Sequence, residues 1–321
     1  FLFPDVAARW DWWSTLATPQ FPDKKVWSFY PSFNASFILS EVVNLPAVVD
    51  FVKLRATMSG VGSGVQRPYM TQNYYESPNT LIGGALTNGS NLANPFINPL
   101  RTRSFEVGTD IRMFKSRVSL DVAVYRGNTF NQHLYRVIDA AAGARTRLTN
   151  IGEVSNSGIE IGLTTKQLES KTGLNWSTSF TFSMNRNRIE ELADSSIVLQ
   201  QRSIGASQIV GKVGGSLGDM YGIGYQRAPD GQIIYDATTG YALLTSDVIY
   251  LGNTIPKGRA SIGNTFSYKG FRLNFLFDTQ WGGVGHSQTN HKLSEQGKLK
   301  QTLPGRYTGI IGEGVVLTAD G

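Results

Sequence analysis

Histidines, glycine-rich turns and clustered aromatics are the residues of this chain that could do chemistry. The histidines are His133, His286 and His291. The last two stand five apart in what reads as a loop, without the glutamate between two helical histidines that a zinc protease site needs. Gly62-Ser63-Gly64 lacks the spacing and the strand–turn–helix setting of a nucleophile elbow. The run from Gly211 to Gly218 resembles a phosphate loop only superficially: it lacks the Gly-Lys-Ser/Thr ending and the helix that should follow. There is no cysteine, which excludes disulfides and thiolate metal sites. No catalytic residue, metal site or cofactor is expected, and the chain is not read as an enzyme. Binding is the more promising chemistry. Trp12, Trp13, Tyr74 and Tyr75, with Asn73 beside them, are the candidates for substrate contact. Aromatic faces stack on sugar rings or peptide side chains, and nearby amides supply hydrogen bonds. The same residues could instead pack loops together or dock a lid.

The elements that would position these residues show in a period-two alternation repeated along the chain. Over 26–40, Trp27, Phe29, Pro31, Phe33, Ala35, Phe37 and Leu39 share one face, opposite Ser28, Tyr30, Ser32, Asn34, Ser36, Ile38 and Ser40, with Ile38 the one strongly apolar misfit. Val52, Leu54, Ala56 and Met58 alternate with Lys53, Arg55, Thr57 and Ser59. Similar runs cover 105–113, 118–125, 159–164 and 175–185. A last hairpin over about 258–281 turns at Lys269-Gly270, with Phe271, Leu273, Phe275 and Phe277 on one face. About eight strands of roughly 9–15 residues result, matching the ~9–11 that a tilted membrane strand needs rather than the ~5–6 of a globular one. The hydropathy agrees. Of 321 residues 40% are hydrophobic and 17% charged, the mean hydropathy is −0.17, and no stretch approaches the ~18–20 apolar residues of a membrane helix. A barrel strand alternates lipid-facing and lumen-facing residues, so its average stays near zero.

Connection lengths point the same way. Those near 41–51, 115–117, 166–173 and 269–270 are short; those near 61–103, 127–156, 186–257 and from 282 onward are long. Short periplasmic turns and long extracellular loops are the outer-membrane pattern. In that orientation Phe114, Trp176, Tyr268 and Phe271 fall at periplasmic strand ends, and Trp27, Tyr125 and Trp281 near outer ones, as an aromatic girdle requires. Lumen-facing Arg55, Arg112 and Arg272 are expected to pair with Asp110, Glu106, Asp278 or residues of a plug inside the barrel rather than to bind ligand. The net charge of +6 suits a solvated surface or attraction to anionic head groups or ligands, and no dense Lys/Arg stripe suggests nucleic acid. Phe1-Leu2-Phe3-Pro4-Asp5 is no signal peptide. The first ~25 residues read as a loop, and Thr318-Ala319-Asp320-Gly321 as a stop within another. The expected fold is all-β: an antiparallel transmembrane β-barrel, of which residues 1–321 form part of a single domain with long extracellular loops.

An ordered set of motifs resembles the SusC-like (RagA-like) family of TonB-linked outer-membrane proteins. Arg9-Trp10-Asp11-Trp12-Trp13-Ser14-Thr15-Leu16, then Phe29-Tyr30-Pro31-Ser32, resembles a family loop and the strand start after it. Phe51-Val52-Lys53-Leu54-Arg55-Ala56-Thr57 resembles a family strand. So do Asn150-Ile151-Gly152-Glu153-Val154-Ser155-Asn156-Ser157-Gly158-Ile159-Glu160 and Asn264-Thr265-Phe266-Ser267-Tyr268-Lys269-Gly270-Phe271. The resemblance implies a plugged barrel of about 22 strands in the bacterial outer membrane. It implies import of oligosaccharides or oligopeptides, powered by the TonB complex, under a SusD-like surface lipoprotein. On that basis the N-terminal plug and early strands are absent from this chain. Outer-membrane lipids are a further expected partner. A passive porin, an adhesin or a secretion barrel is the alternative.

Overall fold

A computed structural model describes residues 1–65, 67–77, 86–192, 196–201 and 207–317. The expected stop at Thr318–Gly321 lies outside the described residues. Nine long strands form one antiparallel wall. They are β1 (Leu2–Trp12), β2 (Trp27–Ile38), β3 (Val49–Ser63), β4 (Leu100–Met113), β5 (Val118–Val137), β6 (Thr146–Leu168), β7 (Asn175–Glu191), β8 (Gly258–Tyr268) and β9 (Phe271–Trp281). Each pairs with its neighbour in chain order, and β1 and β9 are the two edges. A side strand, Asn91–Leu92, pairs with β6. The 11 residues of β9, at ~3.4 Å each and tilted ~40°, rise about 28 Å, the height of an apolar membrane band.

The wall has the two faces that alternation predicts. Phe33, Leu54, Met58, Phe105, Val107, Val124, Phe275 and Phe277 lie on one face and are all exposed, an apolar surface of the kind that meets lipid. The opposite face carries Lys53, Arg55, Glu106, Asp110, Asp121, Glu160 and Asp278, registered strand to strand. The buried core lies at the end of the wall where the long connections emerge: Leu16, Val65, Ile97 and Leu148 of β6 form one cluster, and Val154 of β6, Ile189 of β7 and Ile197 another.

Four expectations need correction. The first 25 residues are not one loop, because β1 pairs along its whole length with β2. Its outward face, Leu2, Pro4, Val6, Ala8, Trp10 and Trp12, does alternate, but a proline and two alanines weaken the pattern. The segment 127–156 is not a long loop: β5 and β6 pair beyond the membrane band to Val137↔Thr146, leaving only 138–145 between them. There Leu148 and Val154 are buried against loop and neighbouring-strand residues and Leu134 packs beside them, so the lipid-against-lumen alternation ends while pairing does not. Tyr125 shares its face with Asp121 and points into the lumen, so it is no girdle residue. His291 lies not in a loop but on a short helix, Gln288–Glu295.

The short turn after β4 is strained. Phe114, Lys115 and Ser116 have φ of 56°, 58° and 58°, three successive left-handed residues bearing Cβ atoms. Such a conformation costs roughly 1–2 kcal/mol per residue. Asp50 holds the turn by accepting the Ser116 N–H at 2.8 Å. Replacing Lys115 by glycine is expected to raise unfolding stability by about 1 kcal/mol, measured by denaturant unfolding of the folded barrel; a loss would show that the lysine side chain itself holds the turn. Between β8 and β9 the two-residue turn Lys269-Gly270 takes φ of 44° and 86°, the handedness that matches hairpin twist.

A second compact unit comprises the described residues within 200–210, 218–255 and 283–317. In it Asp219–Gly222 pairs with Ile249–Asn253, and Ile233–Tyr235 runs parallel to Gly314–Val316. Asp236 closes a turn by accepting the N–H groups of Thr238 at 3.0 Å and Thr239 at 2.6 Å. Its carboxyl is held below the usual range first by the Thr239 N–H, then by the Thr239 hydroxyl and the Thr238 N–H.

Candidate functional site

Two places on the wall gather polar or aromatic side chains: the lumen face itself, and the loops at the end where the long connections emerge. On the lumen face the strand register sets long side chains beside glycines. Arg55 on β3 stands opposite Gly108 on β4. A Cβ at Gly108 would lie 2.7 Å from both Nε and Cζ of Arg55, so the guanidinium occupies the place where a side chain would be. It thereby crosses β4 and reaches Asp121 on β5 in a two-pronged contact, Nη1 to Oδ2 at 2.6 Å and Nη2 to Oδ1 at 2.8 Å. Glu106 is a looser partner at 3.7 Å. Arg112 pairs with Asp110 at 3.5 Å, as expected. The principal partner of Arg55, Asp121, was not among the expected ones.

Tyr125 repeats the device two strands on. It stands opposite Gly158 on β6 and donates its phenol to Asn185 Oδ1 on β7 at 3.2 Å. Asn185 and Asn187 in turn donate to Asn156 at 3.3 and 3.1 Å. The lumen wall therefore presents both charges and many amides, held in place by one another. Arg55 and Asp121 remain 26% and 50% exposed, so their pair stabilises the fold by only ~0–1 kcal/mol. These groups can hydrogen-bond or ion-pair with a polar solute; none is arranged as a nucleophile beside a base.

The structure separates the candidate contact residues. Trp12 ends β1 on the outward-facing side. Its ring stacks on Trp10 at 5.5 Å, and Trp10 meets Trp27 at 4.9 Å and Phe29 at 5.7 Å. Four aromatics at one height on β1 and β2 have the makings of a membrane-interface girdle. Trp13 turns the other way and packs on the cluster of Leu16, Val65, Ile97 and Leu148. Asn73 accepts the Ala93 N–H at 2.8 Å and so braces its own loop. Tyr74 and Tyr75 are 61% and 71% exposed; Tyr75 lies in a two-residue strand paired with Thr87–Asn88.

Sequence reasoning passed over two anchors of this region. Lys24 donates to the carbonyls of Leu16 at 3.2 Å and Pro95 at 2.8 Å, tying the 13–26 loop to the 64–99 connection. Burial lowers the pKa of its ammonium. Asp11 accepts from the Tyr30 hydroxyl and from Arg9 Nε. A lone lysine or tyrosine in sequence carries no sign of such a long-range partner.

Comparison with known proteins agrees with this architecture. The family model described as TonB dependent receptor-like, beta-barrel matches residues 4–290. TonB-dependent receptor P3 of Formosa agariphila is 24% identical over 257 residues, covering 72% of this chain and 26% of that protein. TonB-dependent receptor P26 of the same organism is 25% identical over 286 residues, covering 82% and 29%. The solved structure of the RagAB peptide transporter superposes with a TM-score of 0.69 at 17% identity, over 88% of this chain and 32% of that one. The chain thus spans between a quarter and a third of the length of these curated relatives. With nearly all of its wall inside the matched span, and that wall on the outer-membrane pattern, the chain belongs to the TonB-dependent receptor β-barrel family and resides in the bacterial outer membrane.

Proposed function

We propose that this chain is part of the barrel of a TonB-dependent importer that carries oligosaccharides or oligopeptides across the outer membrane. The observation that carries the reading is the family match over a wall whose inner face carries charges of both signs. Such a surface suits a hydrated or plugged lumen passing polar oligomers and is wasted on a sealed one. In this reading strands and a plug outside the 321 residues complete a barrel of about 22 strands. The TonB complex acts on that plug, and a SusD-like surface lipoprotein closes the extracellular loops. Of the candidates Trp12, Trp13, Asn73, Tyr74 and Tyr75, the exposure of Tyr74 and Tyr75 supports assigning those two to contact with substrate or lid.

The test is growth. A strain lacking the gene is expected to lose growth on one class of defined oligosaccharide or oligopeptide as sole nutrient. The intact gene should restore it, and a gene without its TonB-interacting segment should not. Growth restored equally by both would replace energised import with passive diffusion.

A further inference from the structure

The lipid-facing side of the wall changes character abruptly near its outer end. On β4 the outward residues run Met113, Ile111, Thr109, Val107, Phe105 and then Arg103 and Arg101. On β5 the same face runs Val118, Leu120, Val122, Val124 and then Arg126. Ten residues separate Met113 from Arg103; at ~3.4 Å each and ~40° of tilt that is a height of about 26 Å, the upper edge of an apolar band. The register aligns the cations: Phe105 faces Arg126, and Arg103 faces Asn128. The same two rows continue through Ser157 and Ser155 of β6 to Arg186 and Arg188 of β7.

Beside these arginines the wall is grooved. The pairing of β2 with β3 ends at Ser32↔Ser59, while β3 stays paired with β4 to Ser63↔Leu100. Past that point a groove of about 800 Å³ lies on the outward side. Phe29, Phe33, Met58 and Phe105 supply its apolar walls, and Arg101, Arg103 and Arg126 close its upper side. Ser28, fully buried with an unpartnered hydroxyl, lines it too. Arg126 and Arg188 share Glu190 at 3.8 and 3.3 Å, and Arg103 packs over Phe130 at 5.5 Å. Among the described residues no carboxylate pairs with Arg101 or Arg103.

We propose that this groove is a binding site for a phosphorylated lipid of the outer leaflet, with acyl chains along Phe33, Met58 and Phe105 and phosphate held by Arg101, Arg103 and Arg126. Charge decides the occupant. An apolar groove alone would accept any acyl chain. Two uncompensated guanidiniums at head-group depth select an anion, and the two-pronged guanidinium geometry suits phosphate. The site lies outside the lumen and does not depend on what the barrel imports; it rests only on the assignment of this face to lipid.

The full-length transporter, purified in mild detergent and stripped of co-purifying lipid, is titrated with monophosphoryl lipid A and with its dephosphorylated form. Bound lipid is read by native mass spectrometry. The wild-type protein is expected to prefer the phosphorylated lipid by about 30-fold, and the double variant R101Q/R103Q to bind the two forms within about twofold. Equal binding of both forms by the wild type, or an undiminished preference in the double variant, would overturn the proposal and leave a solvated rim. A large excess of inorganic phosphate should leave the lipid bound; displacement would mark a free-anion site and overturn it as well. Should the double variant fail to assemble, the wild-type comparison of the two lipids still decides.

Discussion

Replacing Phe275 by arginine is expected to lower barrel stability by about 2–4 kcal/mol, because the side chain sits near the middle of a lipid-facing strand. Phe275 is the fifth of the 11 residues of β9. It stacks on Phe266 of β8 at 6.0 Å and meets Phe277 edge-on at 5.7 Å. An arginine there would place its charge in hydrocarbon or bend toward the interface, and it would lose both ring contacts. The neighbouring variant N274R supplies the control. Asn274 points to the lumen, opposite Thr265, where a charge stays in water, so little change is expected. Guanidinium unfolding of the full-length protein in lipid vesicles measures both. Equal effects of the two substitutions would reverse or abolish the assignment of faces on which the membrane reading depends.

Gly158→Ala is expected to cost about 3 kcal/mol, a large effect for one added methyl group. The new Cβ would press on the Met184 carbonyl of β7 and lie 2.6 Å from Cζ of Tyr125. The backbone carbonyl belongs to the ladder and cannot yield, so the tyrosine must leave and give up its bond to Asn185. Gly162 offers the comparison within the same strand and on the same face. A Cβ there meets only the Asp121 Cβ, at 3.9 Å. Gly162→Ala should therefore be neutral or stabilising by up to about 1 kcal/mol, through lost freedom in the unfolded chain. The same unfolding assay separates the two. Parallel losses at both positions would mean that glycine serves strand flexibility here rather than a seat for Tyr125.

What could be read from the sequence follows from which physics is local. The facing of Trp176, Phe180, Phe182 and Phe275 was legible because lipid on one side and polar surroundings on the other impose a period of two on neighbouring residues. The hairpin at Lys269-Gly270 was legible because a glycine marks the handed turn. The extension of β5 and β6 beyond the membrane was not, since burial there is set by distant partners, Leu148 with Leu16 and Ile97, Val154 with Ile189 and Ile197, rather than by a lipid face. The short strands of the second unit, such as Ile233–Tyr235 with Gly314–Val316, join residues some eighty apart and leave almost no local trace. The candidate site was legible only as a list of aromatics. That Trp13 would face the Leu16 cluster while Trp12 joined Trp10 depends on where β1 ends, and Arg55 meets Asp121 only because three strands share one register.

The glycine seats also bear on how such a wall carries a mechanical load. A hydrogen-bonded ladder strongly resists strands sliding past one another but resists bending between adjacent strands far less. Arg55 and Tyr125 each reach over a middle strand to a third, so each acts as a brace on the concave side and opposes a change in local curvature. They lie in adjoining triplets, β3–β5 and β5–β7, with β5 common to both. This stretch should behave as a stiff rib in the barrel's cross-section. Any widening of the lumen would then be taken up by strands outside it.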